Sequence, residues 1–185
     1  MGPGRADRRQ PLGRARPGFL ATLPPPAKIE ALHRLLEEAG IPHAFGGAIA
    51  LSFYAEPRET KDIDVNVFVP VERWREVREA LASLGVDLDI DEGKLQAEAQ
   101  VKLAWEENPL HLFFSEDVLH EEMMGKVRNV SFEGGTTIPL VSPEHLVIRK
   151  TILGRPKDHQ DIERILDATP VDQAEVDGWV RRLAR

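Results

Sequence analysis

The chain has 185 residues, 42% of them hydrophobic and 30% charged, which is typical of a globular domain with its own core. It contains no cysteine, which excludes disulfides, thiolate metal sites and cysteine nucleophiles. The net charge of -7 disfavours indiscriminate binding to nucleic acid, because phosphate contacts need clustered Lys and Arg. No apolar run approaches the roughly 20 residues that span a bilayer, and the basic N-terminus lacks the apolar stretch of a secretory signal. We therefore expect a cytoplasmic protein with no membrane partner.

Residues 1–26 differ from the rest of the chain. They are rich in Gly and Pro, carry five arginines against one aspartate, and show no hydrophobic period. This composition predicts a disordered basic tail. The tail could be a basic arm that touches RNA. A solvated extension without a function fits the same composition and is the more frequent meaning of such a segment.

From residue 27 onward, apolar periodicity and Gly or Pro breaks predict regular elements. Helices and strands alternate first, and two strand pairs follow, each joined by a turn that is typical of a hairpin. In chain order we expect helix 27–39, strand 41–45, helix 48–54, strand 62–69, helix 71–84, strand 86–90, the strand pair 99–105 and 110–114, and the strand pair 126–132 and 136–141.

Ser142-Pro143 then predicts a helix start, because a hydroxyl cap precedes proline in the first turn. We expect that helix to end near residue 153 and two more to occupy 158–168 and 171–183. The predicted fold class is α/β (α+β), a mixed sheet flanked by helices with a helical C-terminal part. We divide the chain into a core at 27–141 and C-terminal helices at 142–185 that pack on it.

Two aspartates begin the strand predicted at 62–69. Side chains alternate along a strand, so Asp62 and Asp64 share one face, about 6–7 Å apart at their Cα atoms. Such a pair could converge on a divalent ion, and hard oxygen ligands suit Mg²⁺. The alternative is an acidic, solvent-facing side of an ordinary strand.

The second motif is Gly46-Gly47, between a predicted strand and a predicted helix. Glycine permits close approach of the backbone, and a helix N-terminus favours an anion such as a triphosphate. A tight strand-to-helix turn is the alternative. A glycine turn followed by an Asp-x-Asp strand is more specific than either motif alone.

This combination, GGAIALSFYAEPRETKDIDV at residues 46–65, resembles the nucleotidyltransferase superfamily, which has the DNA polymerase β-like fold. Within it, the chain is most similar to small bacterial AbiEii-type toxins of type IV toxin–antitoxin systems. Those proteins often show Arg-x-Thr before the Asp pair, here Arg58 and Thr60, and a late Lys…Arg-x-Lys-Asp-x-x-Asp segment. The late segment is represented here by Lys150 and by residues 155–161.

The resemblance implies metal-dependent transfer of a nucleoside monophosphate from an NTP to an unknown acceptor, which could be RNA, a protein or a small molecule. Asp62 and Asp64 would bind Mg²⁺, with Mn²⁺ as an alternative, and a cognate antitoxin would be a partner. The residues implied in nucleotide binding are Gly46, Gly47, Arg58, Thr60, Lys150, Lys157 and Asp158.

One position departs from the superfamily pattern. The third carboxylate expected on a neighbouring strand is replaced by His111, which could act as a base or as a metal ligand. Glu116 or Asp117, just beyond, could substitute for it. If none does, the chain is a catalytically degenerate nucleotide-binding or interaction module of the same fold. A nucleic-acid-binding regulator that uses the basic tail is a third alternative, which the acidic body argues against.

Overall fold

The computed structural model describes residues 24–183. Its helices are α1 (Pro26–Glu38), α2 (Gly47–Tyr54), α3 (Trp74–Leu81), α4 (Glu92–Glu98), α5 (Val118–Gly125), α6 (Pro143–Leu153), α7 (Pro156–Ala168) and α8 (Gln173–Leu183). Its strands are β1 (His43–Phe45), β2 (Ile63–Val67), β3 (Gln100–Leu103), β4 (Leu110–Phe114), β5 (Arg128–Ser131) and β6 (Thr137–Leu140). Within this range, no helix is long and apolar enough to cross a membrane.

The six strands form one mixed sheet in the order β3-β4-β2-β1-β6-β5. The central strand β2 runs antiparallel to β1 and parallel to β4, and β1 runs parallel to β6. Both predicted hairpins are confirmed, since β3–β4 and β5–β6 are antiparallel neighbours. The sheet with helices around it confirms the predicted fold class.

The two faces of β2 have opposite chemistry. Ile63, Val65 and Val67 are fully buried in the core, as the alternation predicts. That apolar face is covered by α3, whose Trp74 meets Phe114 of β4 edge to face with ring centroids 6.2 Å apart. Asp64 lies on the opposite face, together with the candidate site residue His111 of β4.

The helices α6, α7 and α8 share the hydrophobic core of the sheet. Ile148, Ile165 and Val176 are buried members of that core. Helix α2 is bonded to the segment before α6 and to the residue after α7. The Tyr54 hydroxyl donates to Val141 O at 2.8 Å, and Thr169 Oγ1 donates to Tyr54 O. These bonds hold the C-terminal end of α2 next to the start of α6 and the end of α7.

Several elements differ from the sequence predictions. Residues 86–90 form no strand; Asp87 N–H donates to Ala104 O, one residue beyond the end of β3. Helices α4 and α5 were missed. They have only seven and eight residues, and their starts depend on the carboxylates of Asp91 and Asp117, which accept from backbone N–H groups three residues ahead. Helix α3 begins after a 3-10 turn at Val71–Arg73 and ends at Leu81, earlier than predicted.

Two boundaries also shift. Helix α7 begins at Pro156 rather than at residue 158, and Asp158 is its third residue, where its carboxylate accepts from Arg155 N–H. At the other end, Pro26 is the first residue of α1 rather than the last of a tail. Apart from residues 24–26, the predicted disordered tail lies outside the described residues.

Candidate active site

Asp64 stands at one end of a row of three side chains that crosses three neighbouring strands. In the register of the sheet it lies opposite His111 of β4, which lies opposite Lys102 of β3. Asp64 Oδ1 is 3.7 Å from His111 Nδ1, and His111 Nε2 is 3.2 Å from Gln100 Oε1. The histidine is therefore held against the carboxylate that would bind a metal.

Asp62 precedes β2 by one residue. Its backbone N–H donates to Thr60 Oγ1 at 3.2 Å, which gives the predicted Thr60 a role in shaping this turn. Its carboxylate is paired with Lys102 Nζ at 3.1 Å, and its side chain is 44% exposed. Asp62 is thus accessible to an ion, but a cation must displace the lysine to bind there.

The turn at Gly46-Gly47 lies directly against Asp64. Gly46 N–H donates to Asp64 O at 2.8 Å, and Gly47, the first residue of α2, has φ +52°. A Cβ at Gly47 would lie 2.7 Å from Asp64 Cγ and would overlap its carboxylate oxygen. Only glycine lets the N-terminus of α2, which favours an anion, approach the Asp64 carboxylate this closely.

A cavity of about 190 Å³ opens between this face of the sheet and α6. One part of its wall is formed by Gly46, Gly47, Asp64 and Asn66, and another by the side chains of α6. The remaining lining residues include Glu98, Gln100, Phe113, Glu116, His120, Met123, Val141 and Arg155.

Lys150 lines the cavity from α6, but its amino group is already engaged. It donates to Asp161 Oδ2 at 2.6 Å and lies 3.5 Å from Asp158 Oδ1, and all three side chains are nearly inaccessible. Arg58 pairs with Asp161 at 3.1 Å, and Arg155 pairs with Asp158 at 2.6 Å. The late motif therefore forms one buried ionic network that fastens α6, α7 and the loop before β2 together.

Arg155 connects this network to the cavity. Its hydrogen bond with Asp158 raises the pKa of the guanidinium, and the negative charge of Asp64 acts in the same direction. Lys157, by contrast, is an exposed residue of α7 and is not among the residues that line the cavity within 24–183.

Arg149 is a cavity residue that the sequence motifs do not identify. It lines the cavity beside Lys150, lies 5.7 Å from the ring centroid of Phe113, and makes no ion pair within the described part of the chain. Burial lowers the pKa of its guanidinium, while the charges of Asp117 and Glu116 raise it. The sequence does contain a signal, because residues 146, 149, 150 and 153 follow the helical period and all line the cavity.

Four further polar residues lie in or near the cavity: Asn66 and Gln100, which the sequence pattern does not single out, and Glu116 and Asp117, the alternatives to His111. Asn66 lies two residues beyond Asp64 on the same face of β2, and Gln100 lies on β3. Glu116 lines the cavity, whereas Asp117 caps α5 and bonds to His120 Nδ1 at 3.1 Å. Residues 24–183 contain no cluster of three or more Asp, Glu, His or Cys that could hold a metal ion.

Comparison of the fold with solved structures gives nucleotidyltransferases that modify antibiotics. The solution structure of ANT(2'')-Ia is 15% identical, covers 86% of this chain and 90% of that chain, and has a TM-score of 0.60. The crystal structure of ANT(2'')-Ia with adenylyl-2''-tobramycin is 16% identical, covers 86% and 96% of the two chains, and has a TM-score of 0.58. The lincosamide adenylyltransferase LnuA, with lincomycin bound, is 17% identical, covers 77% and 97%, and has a TM-score of 0.51. These likenesses establish the fold.

No curated protein matches the sequence. One protein family does: the family described as nucleotidyl transferase AbiEii toxin, type IV toxin–antitoxin system, matches residues 30–184. That match spans most of the chain and confirms both the predicted superfamily and the prediction of an enzyme. The protein belongs to the AbiEii family of nucleotidyltransferases.

Proposed function

We propose that the protein is the toxin of a toxin–antitoxin pair and transfers a nucleoside monophosphate from an NTP to an acceptor hydroxyl in a Mg²⁺-dependent reaction. The observation that carries the proposal is the contact of Gly47 with Asp64. It juxtaposes a helix N-terminus, which attracts phosphate, and a carboxylate, which attracts a cation.

The residues present fit a divalent ion in part. Asp62 and Asp64 offer hard carboxylate oxygens, the ligand type that suits Mg²⁺ and also Mn²⁺. Mg²⁺ bound there would neutralise charge on the phosphates. The third ligand position is taken by His111, so the ion would depend more on water and on the phosphates of the substrate than in a site with three carboxylates.

The chain would hold the triphosphate from the opposite side. The backbone N–H groups in the first turn of α2 have no acceptor within that helix and would donate to phosphate oxygens. Arg149 and Arg155 line the same cavity, and Arg149 has no competing carboxylate partner within residues 24–183. By contrast, we assign Lys150, Asp158 and Arg58 to positioning, because their charges are satisfied by one another and by Asp161.

The reaction balances as a substitution at the α-phosphorus. The acceptor oxygen forms a bond to that phosphorus, the bond to the bridging oxygen of the β-phosphate breaks, and pyrophosphate leaves. The hydroxyl proton passes to a base, and we assign this role to His111 because its Nδ1 lies 3.7 Å from Asp64 Oδ1, beside the carboxylate that would hold the metal.

The acceptor is RNA, a protein or a small molecule. ANT(2'')-Ia and LnuA carry antibiotics in their structures, which shows that small molecules suit this fold. The cavity of about 190 Å³ is smaller than the roughly 300 Å³ at which complete ligand pockets begin, so it takes only part of the reactants. We therefore expect the acceptor to approach the nucleotide from outside the cavity.

The second candidate is a module that binds nucleotides without turnover. Two observations favour it: Lys102 already neutralises Asp62, and His111 stands where a third carboxylate is expected. Both candidates require nucleotide binding, and only the first requires transfer.

Calorimetric titration of each NTP, with and without Mg²⁺, tests the binding on which the proposal depends. We expect at least one NTP to bind in a Mg²⁺-dependent way and Asp64→Asn to abolish that dependence. Asp167→Asn, an exposed residue of α7, is the matched control and should bind like the wild type. Binding that is indifferent to Mg²⁺ and to Asp64 would overturn the assignment of this site.

A further inference from the structure

Asn66 is a buried amide in the wall of the cavity, and the proposed chemistry does not use it. It lies on β2, two residues beyond Asp64 and on the same face, so their Cα atoms are about 6–7 Å apart. Only 6% of Asn66 is exposed, and the residue lines the cavity together with Gly46. A buried asparagine normally has hydrogen-bond partners, so the contacts of this one need an explanation.

The Asn66 amide has no partner in the part of the chain that the structure describes. Within residues 24–183, neither its nitrogen nor its oxygen forms a hydrogen bond. Both atoms nevertheless keep some accessible surface, whereas the unpaired ring nitrogens of His120 and His145 have none. The amide is therefore open to the cavity that Asn66 lines, and a ligand there can reach it.

The other polar groups of the cavity differ from Asn66 in this respect. Gln100 bonds His111 at 3.2 Å, and Glu98 and Glu116 are exposed to solvent. Asn66 thus combines burial, access to the cavity and an unpaired amide.

Asn66 lies next to the turn that would hold the triphosphate. Its Nδ2 is 3.0 Å from the position that a Cβ on Gly46 would take, and Gly46 is the N-cap of α2. A ligand group that meets Asn66 is therefore close to phosphates at the start of α2 and to an ion at Asp64. In a nucleotide, the group joined directly to the α-phosphate is the sugar, and the base is attached beyond it.

The chemistry of an amide also suits a sugar. An asparagine side chain presents two donor hydrogens and an acceptor oxygen, and a hydroxyl can both donate and accept. A phosphate only accepts, so it would pair Nδ2 and leave Oδ1 buried without a partner. The guanidinium groups of Arg149 and Arg155, which line the same cavity, suit phosphate instead.

We propose that Asn66 recognises the ribose of the NTP, with Oδ1 accepting from a sugar hydroxyl and Nδ2 donating to one, so that the site selects ribonucleotides. A nucleotide without these hydroxyls would leave the buried amide unpaired in the complex. Because all four NTPs share the sugar, the selection does not depend on the base. This inference rests on the proposed function, since it needs the triphosphate at the start of α2.

The test compares each NTP with its 2′,3′-dideoxy counterpart by calorimetry in the presence of Mg²⁺. We expect the wild type to bind the ribonucleotide at least about tenfold more tightly, because the buried amide loses its partners in the dideoxy complex. In Asn66→Leu the two affinities should converge to within about threefold, since no amide is left to pair. Affinity for inorganic tripolyphosphate should stay unchanged, which also shows that the phosphate site remains folded. Asn66→Ala, which adds no bulk to the cavity, should behave in the same way.

The matched control is Asn129→Leu. Asn129 is an exposed asparagine of β5 and is not among the residues that line the cavity within 24–183, so the preference should persist.

Two kinds of result overturn sugar recognition by Asn66 and leave the proposed function standing. One is that the wild type binds both nucleotides of a pair equally in a Mg²⁺- and Asp64-dependent way, or that Asn66→Leu and Asn66→Ala keep the preference. The other is that these variants weaken tripolyphosphate binding as much as NTP binding, or weaken the binding of one base only, which would indicate a contact to phosphate or to the base. Absence of Mg²⁺-dependent binding for every NTP overturns both proposals.

Discussion

Asp64 lies so close to Gly47 that only glycine fits at position 47. With φ +52° at Gly47, an added Cβ would lie 2.7 Å from Asp64 Cγ. The start of α2 and the carboxylate on β2 are therefore built as one unit. The proposed phosphate-binding and metal-binding halves of the site are therefore in direct contact.

Gly47→Ala should consequently disrupt nucleotide binding more than it disrupts folding. The left-handed backbone costs an L residue roughly 1–2 kcal/mol, and the Cβ must in addition displace the Asp64 carboxylate. Gly40→Ala is the control, since Gly40 has φ +65° and nothing within 4 Å of an added Cβ. Thermal unfolding and NTP calorimetry on both variants separate the two effects. Equal loss of NTP affinity in both would contradict the contact with Asp64.

Lys150 is expected to stabilise the fold strongly. Lys150→Met leaves Asp158 and Asp161 buried with less compensation, and removal of one partner of a buried ion pair costs about 3–5 kcal/mol. Arg58 still pairs with Asp161, and Arg155 still pairs with Asp158, in this variant. We therefore expect a loss of unfolding free energy at the low end of that range. The measurement is urea unfolding.

Lys157→Met, seven residues later and exposed, provides the comparison. It should change the free energy of unfolding by no more than about 0.5 kcal/mol, as surface substitutions do. A similar small effect in Lys150→Met would contradict the structural role of the network.

His111→Asp should strengthen metal binding. It places a third carboxylate opposite Asp64 in the register of β2 and β4, and oxygen ligands suit Mg²⁺ better than imidazole. We expect Mg²⁺ affinity, measured through NTP binding at varied Mg²⁺, to rise by at least about tenfold, since even residues that only support the metal ligands change affinity by that much. Unchanged affinity would show that residue 111 does not face the ion.

Stability should fall as the solution becomes acidic. Burial of His43 lowers its pKa to about 4, whereas its value in the unfolded chain is about 6.5. Between these values the unfolded chain binds the proton and the folded protein does not, so stability is full above pH 6.5 and declines towards pH 4. From pH 7.5 to pH 5 this one group costs about 2 kcal/mol.

His43→Asn should flatten that dependence in unfolding titrations. The variant should keep a smaller dependence of stability on pH, because burial also lowers the pKa of His120 and of His145. A slope identical to that of the wild type would mean that His43 does not stay neutral in the folded protein.

The sequence predicts those features that depend on neighbouring residues. Alternation identifies β2 and the face of Asp64, and the glycine pair marks the start of α2. Position 62 was assigned to the strand as well, but pairing with β4 begins only at Ile63 with Leu110. A strand edge depends on its partner, which local pattern does not contain.

Features that join distant segments could not be predicted in this way. Arg58 and Asp161 are 103 residues apart, and the family resemblance implies nucleotide binding by Arg58 rather than an ion pair with Asp161. Arg149 and Asn66 are single residues whose importance arises from the cavity they line. Short helices such as α5 carry too little periodicity to distinguish them from loops.

The most direct test of catalysis is label transfer. Each NTP labelled at the α-phosphate is incubated with Mg²⁺, the protein and a cell extract separated into RNA, protein and small-molecule fractions. We predict that at least one fraction becomes labelled with release of pyrophosphate, and that Asp62→Asn or Asp64→Asn prevents it. If the protein binds NTP but labels no fraction with any of the four, the chain is a nucleotide-binding module and the account of catalysis is wrong.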